Sequence, residues 1–378
     1  MKTELYLGAI SGTSLDGLDL ALIEVEPAAS SAGKEQVRHR AGTTVPFPPA
    51  LRRRLEAQTS NRPVSLDEFG HLDTALGSFI AECSSRFLAA NSLRPEDICA
   101  IGSHGQTLRH QPPSTGAQEP FTLQIGNPHQ IVEQTGITTV ADFRGRDLAA
   151  GGEGAPLAPL YHEALFATAD ERRWVLNLGG IANLTRLYAG APLIGFDTGP
   201  ANALIDAWCA AERDAPFDVD GRWAATGSVQ QALLDQCLAD PYFELPPPKS
   251  TGKERFNLEW IAEQLSRLPA LAPADVQRTL VELTAVTVVE AIPDTERTFD
   301  RLLVCGGGRH NRVLMERLSA LCPTPVEDCG QHGADGDSLE AGIFAWLAFR
   351  CLHEVASPTG TVTGAQSSRV LGVRYPAG

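Results

Sequence analysis

Two stretches of the chain share one pattern, an apolar run, a small-residue break and a second apolar run. Residues 5–25 read LYLGAISGTSLDGLDLALIEV, and residues 173–188 read RWVLNLGGIANLTRLY. Each predicts strand, tight turn, strand. Their recurrence roughly half a chain apart predicts two related domains. Between them, helical spacing runs from Ser65 to Ala90, with Phe69, Leu72, Leu76, Phe79 and Phe87 on one face and a Ser-plus-acid cap signal at SLDEF. SAGKEQVRHRAG reads as a polar connection, and ICAIGSHGQTLRH as a short buried strand ending in a polar loop. FTLQIG reads as a strand, NPHQIVEQTG as a helix closed by Gly136, and ITTVADFRGRD as a strand running into a charged loop.

Further along, PLIGFDTGPANALIDAWCA predicts strand, loop and helix, with Pro200 at the helix start. PPPKSTGKERFNLEW is a Pro-rich loop leading to a helix. TFDRLLVCGGGRHNRVLMERLSAL predicts strand, triple glycine and helix, DSLEAGIFAWLAFRCLH an apolar helix, and SRVLGVRYP a last strand. Alternating strands and helices with glycine loops at strand ends define an α/β fold, which binds ligands at those ends.

Composition narrows the function classes. The 378 residues suffice for two domains, and 43% hydrophobic with 20% charged residues is a globular balance. A formal charge of −15 argues against nucleic acid or anionic membrane surfaces as partners. MKTELYLGAI lacks the apolar core of a secretory signal, and no apolar run reaches membrane-spanning length. The eight cysteines form no C-x-x-C pair, so the reading expects a reduced, cytoplasmic protein without a zinc or disulfide framework.

Three glycine-rich strand ends carry the candidate chemistry: Gly12 to Asp19, Gly179 to Asn183, and Gly306 to Asn311. Gly12 and Gly17 permit a left-handed turn, and Thr13 and Ser14 offer hydroxyls beside freed N–H groups, which suits an anion as well as an ordinary hairpin turn. Two such hairpin tips can hold a polyphosphate, and a glycine turn opening a helix lets an adenosine lie on bare backbone. None is a G-x-x-x-x-G-K-[ST] loop. PKSTGKERF lacks that spacing, so Lys249 and Lys253 read as surface or substrate-loop charges, and CGGGRHN is not G-x-G-x-x-G.

SGTSLDGLD, IGSHGQT, GNP, ADFRGRDLAAGGEGAPL, NLGGIANLT, FDTGPANALID, PKSTGKERFN and VCGGGRHN together make the chain resemble, over essentially its whole length, the anhydro-N-acetylmuramic acid kinases. Two small departures are Ile10 for a common Met and Ala201 for a common Gly. The resemblance implies a two-domain ribonuclease H-like clamp of the sugar kinase, Hsp70 and actin type, with a central cleft for ATP and Mg²⁺. Its lobes are expected at residues 1–141 plus 358–378 and at residues 142–357. It implies that Gly12, Thr13, Ser14, Leu15, Asp16, Gly17, Leu18 and Asp19 hold ATP phosphates, with Gly179, Gly180 and Asn183 as the second phosphate hairpin. Gly306, Gly307, Gly308 and Asn311 form the expected adenosine loop.

The implied reaction is ATP-dependent hydrolytic opening and 6-phosphorylation of 1,6-anhydro-N-acetylmuramic acid, in peptidoglycan recycling. The resemblance places the general base on Asp197, which as a residue also reads as a helix N-cap. Asp16 and Asp19 are candidates for Mg²⁺ through water, or for Asx-type turn bonds, with no direct metal ligand named. Ser103, His104, Gln106, Thr107 and Asp142 suit sugar hydroxyl and acetamide groups, and Arg144 suits a lactyl carboxylate. Against these stand a satisfied buried His104 and an Arg144–Asp147 ion pair. Glu340 begins the apolar helix, where it either reaches the site or caps the helix. The alternatives are a kinase for another sugar and a non-catalytic ATP-binding switch; a homodimer is the implied assembly.

Overall fold

The computed structural model describes residues 3–12, 15, 17–28, 34–59, 65–247 and 249–378. In chain order the strands are β1 (Glu4–Ser11), β2 (Gly17–Glu26), β3 (Gln36–Pro46), β4 (Ala100–Gln111), β5 (Phe121–Ile125), β6 (Thr139–Ala141), β7 (Arg173–Leu178), β8 (Ile181–Leu187), β9 (Ile194–Pro200), β10 (Arg301–Cys305), β11 (Val326–Asp328) and β12 (Val373–Tyr375). Internal contacts divide the chain into two units, residues 1–165 with 333–378, and residues 166–332. The sequence reading divides it instead at 141/142 and 357/358. The difference lies in residues 142–165 and 333–357, which pack with the first unit because the helix Leu339–Leu352 lies on its sheet.

The first sheet has the order β12-β6-β4-β1-β2-β3, with β5 on β4, and the second β11-β10-β7-β8-β9. β1 pairs antiparallel with β2 and parallel with β4, while β3 is antiparallel to β2 and β6 parallel to β4. β7, β8, β9, β10 and β11 repeat that order and those senses. The ribonuclease H-like order is therefore made twice. Two expectations change: residues 36–42 of SAGKEQVRHRAG belong to the long edge strand β3, its residues 31–33 lying outside the described residues, and β4 continues through His104 to Gln111.

In the first unit, Leu7, Ala9, Leu20 and Leu22 face Leu72, Leu76, Ile80 and Phe87 of the helix Leu66–Ala90. That helix starts at Ser65, whose hydroxyl accepts the Glu68 N–H at 3.1 Å, as the cap signal predicts. Gly8 and Gly102, paired across β1 and β4, face the helix Leu339–Leu352. A Cβ on Gly8 would overlap the Ala341 carbonyl, and one on Gly102 the Phe344 carbonyl. The helix thus rests directly on strand backbone, and its residues 341–349 are all buried. In the second unit Trp174, Leu176, Leu184 and Phe196 meet Leu280, Val281, Leu314 and Leu318 in one core. No helix among the described residues is long and apolar enough to cross a membrane.

Substituting Gly102 by Ala forces rigid backbone apart, and overpacking of this kind costs about 1–3 kcal/mol. Gly70, on the open face of the helix Leu66–Ala90, has nothing within 4 Å of a new Cβ, and Ala there gains up to about 1 kcal/mol of helix propensity. Thermal or urea unfolding is expected to show Gly102→Ala destabilised and Gly70→Ala stabilised.

Candidate active site

In the second unit, strand register lines up polar side chains at the glycine-bearing ends. Cys305 of β10 pairs with Asn177 of β7, Asn177 with Asn183 of β8, and Asn183 with Asp197 of β9. The β8/β9 register shifts between Ala182 and Asn183, so Thr198 is an extra residue beside Asp197. Asp197 lies within β9, and the helix that follows, Asn202–Arg213, has Ala201 at its N-cap. The N-cap reading of Asp197 is therefore overturned.

Asp197 is held on three sides by one segment. Its N–H donates to the Lys249 carbonyl at 3.0 Å, and its carbonyl accepts the Tyr242 hydroxyl at 2.8 Å. Its Oδ2 accepts the Ser250 hydroxyl at 2.8 Å and the Thr251 N–H at 3.0 Å. Burial pushes the carboxyl above its ordinary range, the two hydrogen bonds pull it back, and the Glu254 charge adds to the rise. Lys249 secures the segment, since its ammonium donates to the Tyr242 and Phe243 carbonyls at 3.3 and 3.2 Å and lies 4.8 Å from the centre of the Tyr242 ring. Burial lowers the Lys249 pKa. Sequence reasoning weighed this stretch for its lysines and missed Ser250, Thr251 and Tyr242; the signal was the hydroxyl pair inside PKSTGKERFN.

The Gly179–Gly180 turn is tied to the next helix, because the N–H groups of Ala201 and Ala203 donate to Gly180 O and that of Asn202 to Gly179 O, each at 3.1 Å. Gly306 has φ +80°, and a Cβ there would come within 2.7 Å of the Leu178 carbonyl, so glycine is required. Gly307 faces open space apart from the Asn202 amide, while Gly308 packs against Leu178. Asn311 is the N-cap of the helix Arg312–Leu321 and accepts the Leu314 N–H at 3.1 Å.

In the first unit, Thr13, Ser14 and Asp16 lie outside the described residues. Gly12 accepts the Leu15 N–H at 3.2 Å, and Gly17 opens β2. Leu15, at φ +56°, and Leu18 are buried in the core, so only their backbone is open to a ligand. Asp19 Oδ1 accepts the Thr44 hydroxyl at 2.6 Å. On β4, register steps from Ala9–Ser103 to Ile10–Gly105, which leaves His104 as a bulge against the ring of Phe344, 4.5 Å between centroids. His104 Nε2 accepts from Arg144 Nε at 2.9 Å, so Nδ1 carries the proton and donates to Gly105 O at 3.0 Å. Burial, with the Arg144 charge, holds this imidazole well below its ordinary pKa.

Arg144 Nη1 donates to Gly154 O at 2.7 Å, and burial lowers its pKa to about 10 against the opposing charges of Glu340 and Asp147. Asp147 itself is bound by the Gly154 N–H and the Thr363 hydroxyl. Gln106 bonds Ser11 and the Thr107 carbonyl, and the Thr107 hydroxyl accepts from Gln124. The Ser103 hydroxyl is buried without a hydrogen-bond partner among the described residues. Exposed Asp142, at φ +55°, accepts the Gly145 N–H at 3.2 Å, and Glu340 is exposed at the start of its helix. His104, Arg144 and Glu340 are thus brought together, whereas Asp142 is engaged by the first N–H of the short helix Gly145–Ala149, whose N-cap is Arg144. The GNP motif has a structural role: Asn127 caps the helix Pro128–Thr135, and Asp73 binds the Gly126 N–H and the Asn127 amide.

A relative in Xanthomonas campestris pv. campestris, named anhydro-N-acetylmuramic acid kinase, is 50% identical over 99% of this chain and 97% of its own. One of the same name in Pseudomonas putida is 46% identical over 99% of both chains. Among solved structures, a ROK family glucokinase from Streptomyces griseus in complex with glucose and AMPPNP matches 90% of this chain and 97% of its own, at 12% identity and a TM-score of 0.37. The family model described as anhydro-N-acetylmuramic acid kinase matches residues 4–377. The chain belongs to the anhydro-N-acetylmuramic acid kinase family.

Proposed function

We propose that this protein uses ATP to open 1,6-anhydro-N-acetylmuramic acid with water and to phosphorylate its O6, giving N-acetylmuramic acid 6-phosphate and ADP. The observation that carries the reading is the family match over residues 4–377. The substrate's O6 is tied to C1, so it becomes a phosphoryl acceptor only as water attacks C1 and the bridge opens. That water must lose a proton, and the carboxylate of Asp197 is the proposed acceptor. Its Oδ2 is occupied by Ser250 and Thr251, which leaves Oδ1 to take the proton. A carboxyl raised by burial is a stronger base than a solvated one.

ATP is the phosphoryl donor, with its phosphates proposed at the Gly12–Asp19 and Gly179–Asn183 turns and its adenosine at Gly306–Gly308. Magnesium, arriving with ATP, neutralises charge on the transferred group, and half-buried Asp19 suits a contact through water. His104, Arg144 and Glu340 form the proposed sugar-facing cluster. Cytoplasmic placement and a homodimer belong to the same proposal.

The test is mass spectrometry of the product from anhydromuramic acid, ATP and Mg²⁺. The expected product gains one phosphate and one water, and Asp197→Asn lowers kcat by about 10²–10⁴-fold with ATP affinity retained. A product carrying phosphate without water, or none, would mean a kinase for another sugar.

The pH profile offers a second test. Asp197 must be ionised to act, so kcat/KM is expected to fall with acidification through a pKa above the ordinary aspartate value of about 3.9. Glu254→Gln removes a raising charge and moves this limb to lower pH, while Ser250→Ala removes a hydrogen bond to the carboxylate and moves it higher. An acid limb unmoved in both variants would rule out Asp197 as the titrating base.

A further inference from the structure

The chain carries 27 arginines and four lysines, and two of those lysines, Lys249 and Lys253, flank the segment that holds Asp197. The positive groups of this segment have different surroundings. Lys249 is bound to two carbonyls and a ring, and Arg255 is paired with Asp240. Lys253 is exposed, and among the described residues it has no hydrogen bond or ion pair. Its neighbour Glu254 turns its carboxylate back over Gly252.

The ammonium of Lys253 lies over the second glycine turn. Its Cε is 3.1 Å and its Nζ 3.9 Å from the point where a Cβ on Gly180 would stand, and the Ala203 methyl is 3.3 Å from the same point. The first N–H groups of the helix Asn202–Arg213 are already donated to the Gly179 and Gly180 carbonyls. An anion at this turn therefore needs another source of positive charge, the more so on a chain of net charge −15. A lysine serves there as a compact, mobile point charge.

We propose that Lys253 is a specificity residue whose ammonium binds an oxyanion of the substrates over the Gly179–Gly180 turn. The oxyanion is either the transferred phosphoryl group of ATP or the lactyl carboxylate of the sugar. The inference rests on the reaction proposed above.

The experiment compares wild type, Lys253→Met and Lys253→Arg by steady-state kinetics, and ATP affinity by calorimetry. It uses anhydromuramic acid and, as substrate or inhibitor, 1,6-anhydro-N-acetylglucosamine, the same bicycle without the lactyl ether. Losing a charge-assisted bond is expected to weaken Lys253→Met roughly tenfold to a hundredfold, with partial rescue by Arg and an unchanged melting midpoint. A loss in ATP binding that is equal for both sugars assigns the ammonium to phosphate. A loss seen with anhydromuramic acid and absent with its lactyl-free analogue assigns it to the carboxylate. Lys253→Met within twofold of wild type on every ligand overturns the proposal. A wild type inert toward anhydromuramic acid would instead overturn the reaction, and calorimetry with ATP would then decide for Lys253, equal affinities ruling it out.

Discussion

The grip of Tyr242, Lys249, Ser250 and Thr251 on Asp197 is the constraint on which the functional account depends. A carboxylate on a strand is normally free to turn into solvent, where its pKa and direction are set by water. Here the backbone N–H, the carbonyl and one carboxylate oxygen are each fixed by a different group of one segment. That segment is itself held through Lys249 to the Tyr242 and Phe243 carbonyls. Two donors to one oxygen keep the group ionisable despite burial.

The twice-made sheet order explains why candidate groups sit where they do. In the second unit the first hairpin and the parallel strand β10 end side by side, Cys305 beside Asn177, whereas in the first unit the hairpin end at Ser11 lies beside Gln106 within the longer β4. In both units, a one-residue bulge near these ends re-aims a side chain, His104 on β4 and the Thr198–Asp197 pair on β9. Glycine plays different parts around these ends. Gly8 and Gly102 let a helix touch strand backbone, whereas Gly306 combines a left-handed φ of +80° with a close fit against Leu178.

Much of this was legible in sequence where the determinant is local. Ser65 and Gly136 mark helix ends by their own chemistry, and the two hairpins announce themselves by alternation around glycine. β3 was not legible because an edge strand with one solvent face, here QVRHRAGTTVP, carries more polar than apolar residues. The continuation of β4 was hidden by Gly105, which signals a loop yet serves a bulge. The surroundings of Asp197 were illegible for a different reason. Its partners lie 45 to 54 residues away in the chain, and no periodicity links them. Leu15 and Leu18 look like part of a phosphate loop in sequence, while their side chains belong to the core.

The central claim is that water, activated at Asp197, attacks carbon and not phosphorus. The most direct measurement is the position of heavy oxygen in the product made in ¹⁸O-water, read by isotope shifts in ¹³C and ³¹P spectra. The account predicts the label on C1 and an unshifted phosphate signal. Label on the phosphoryl group, with C1 unlabelled, would contradict it.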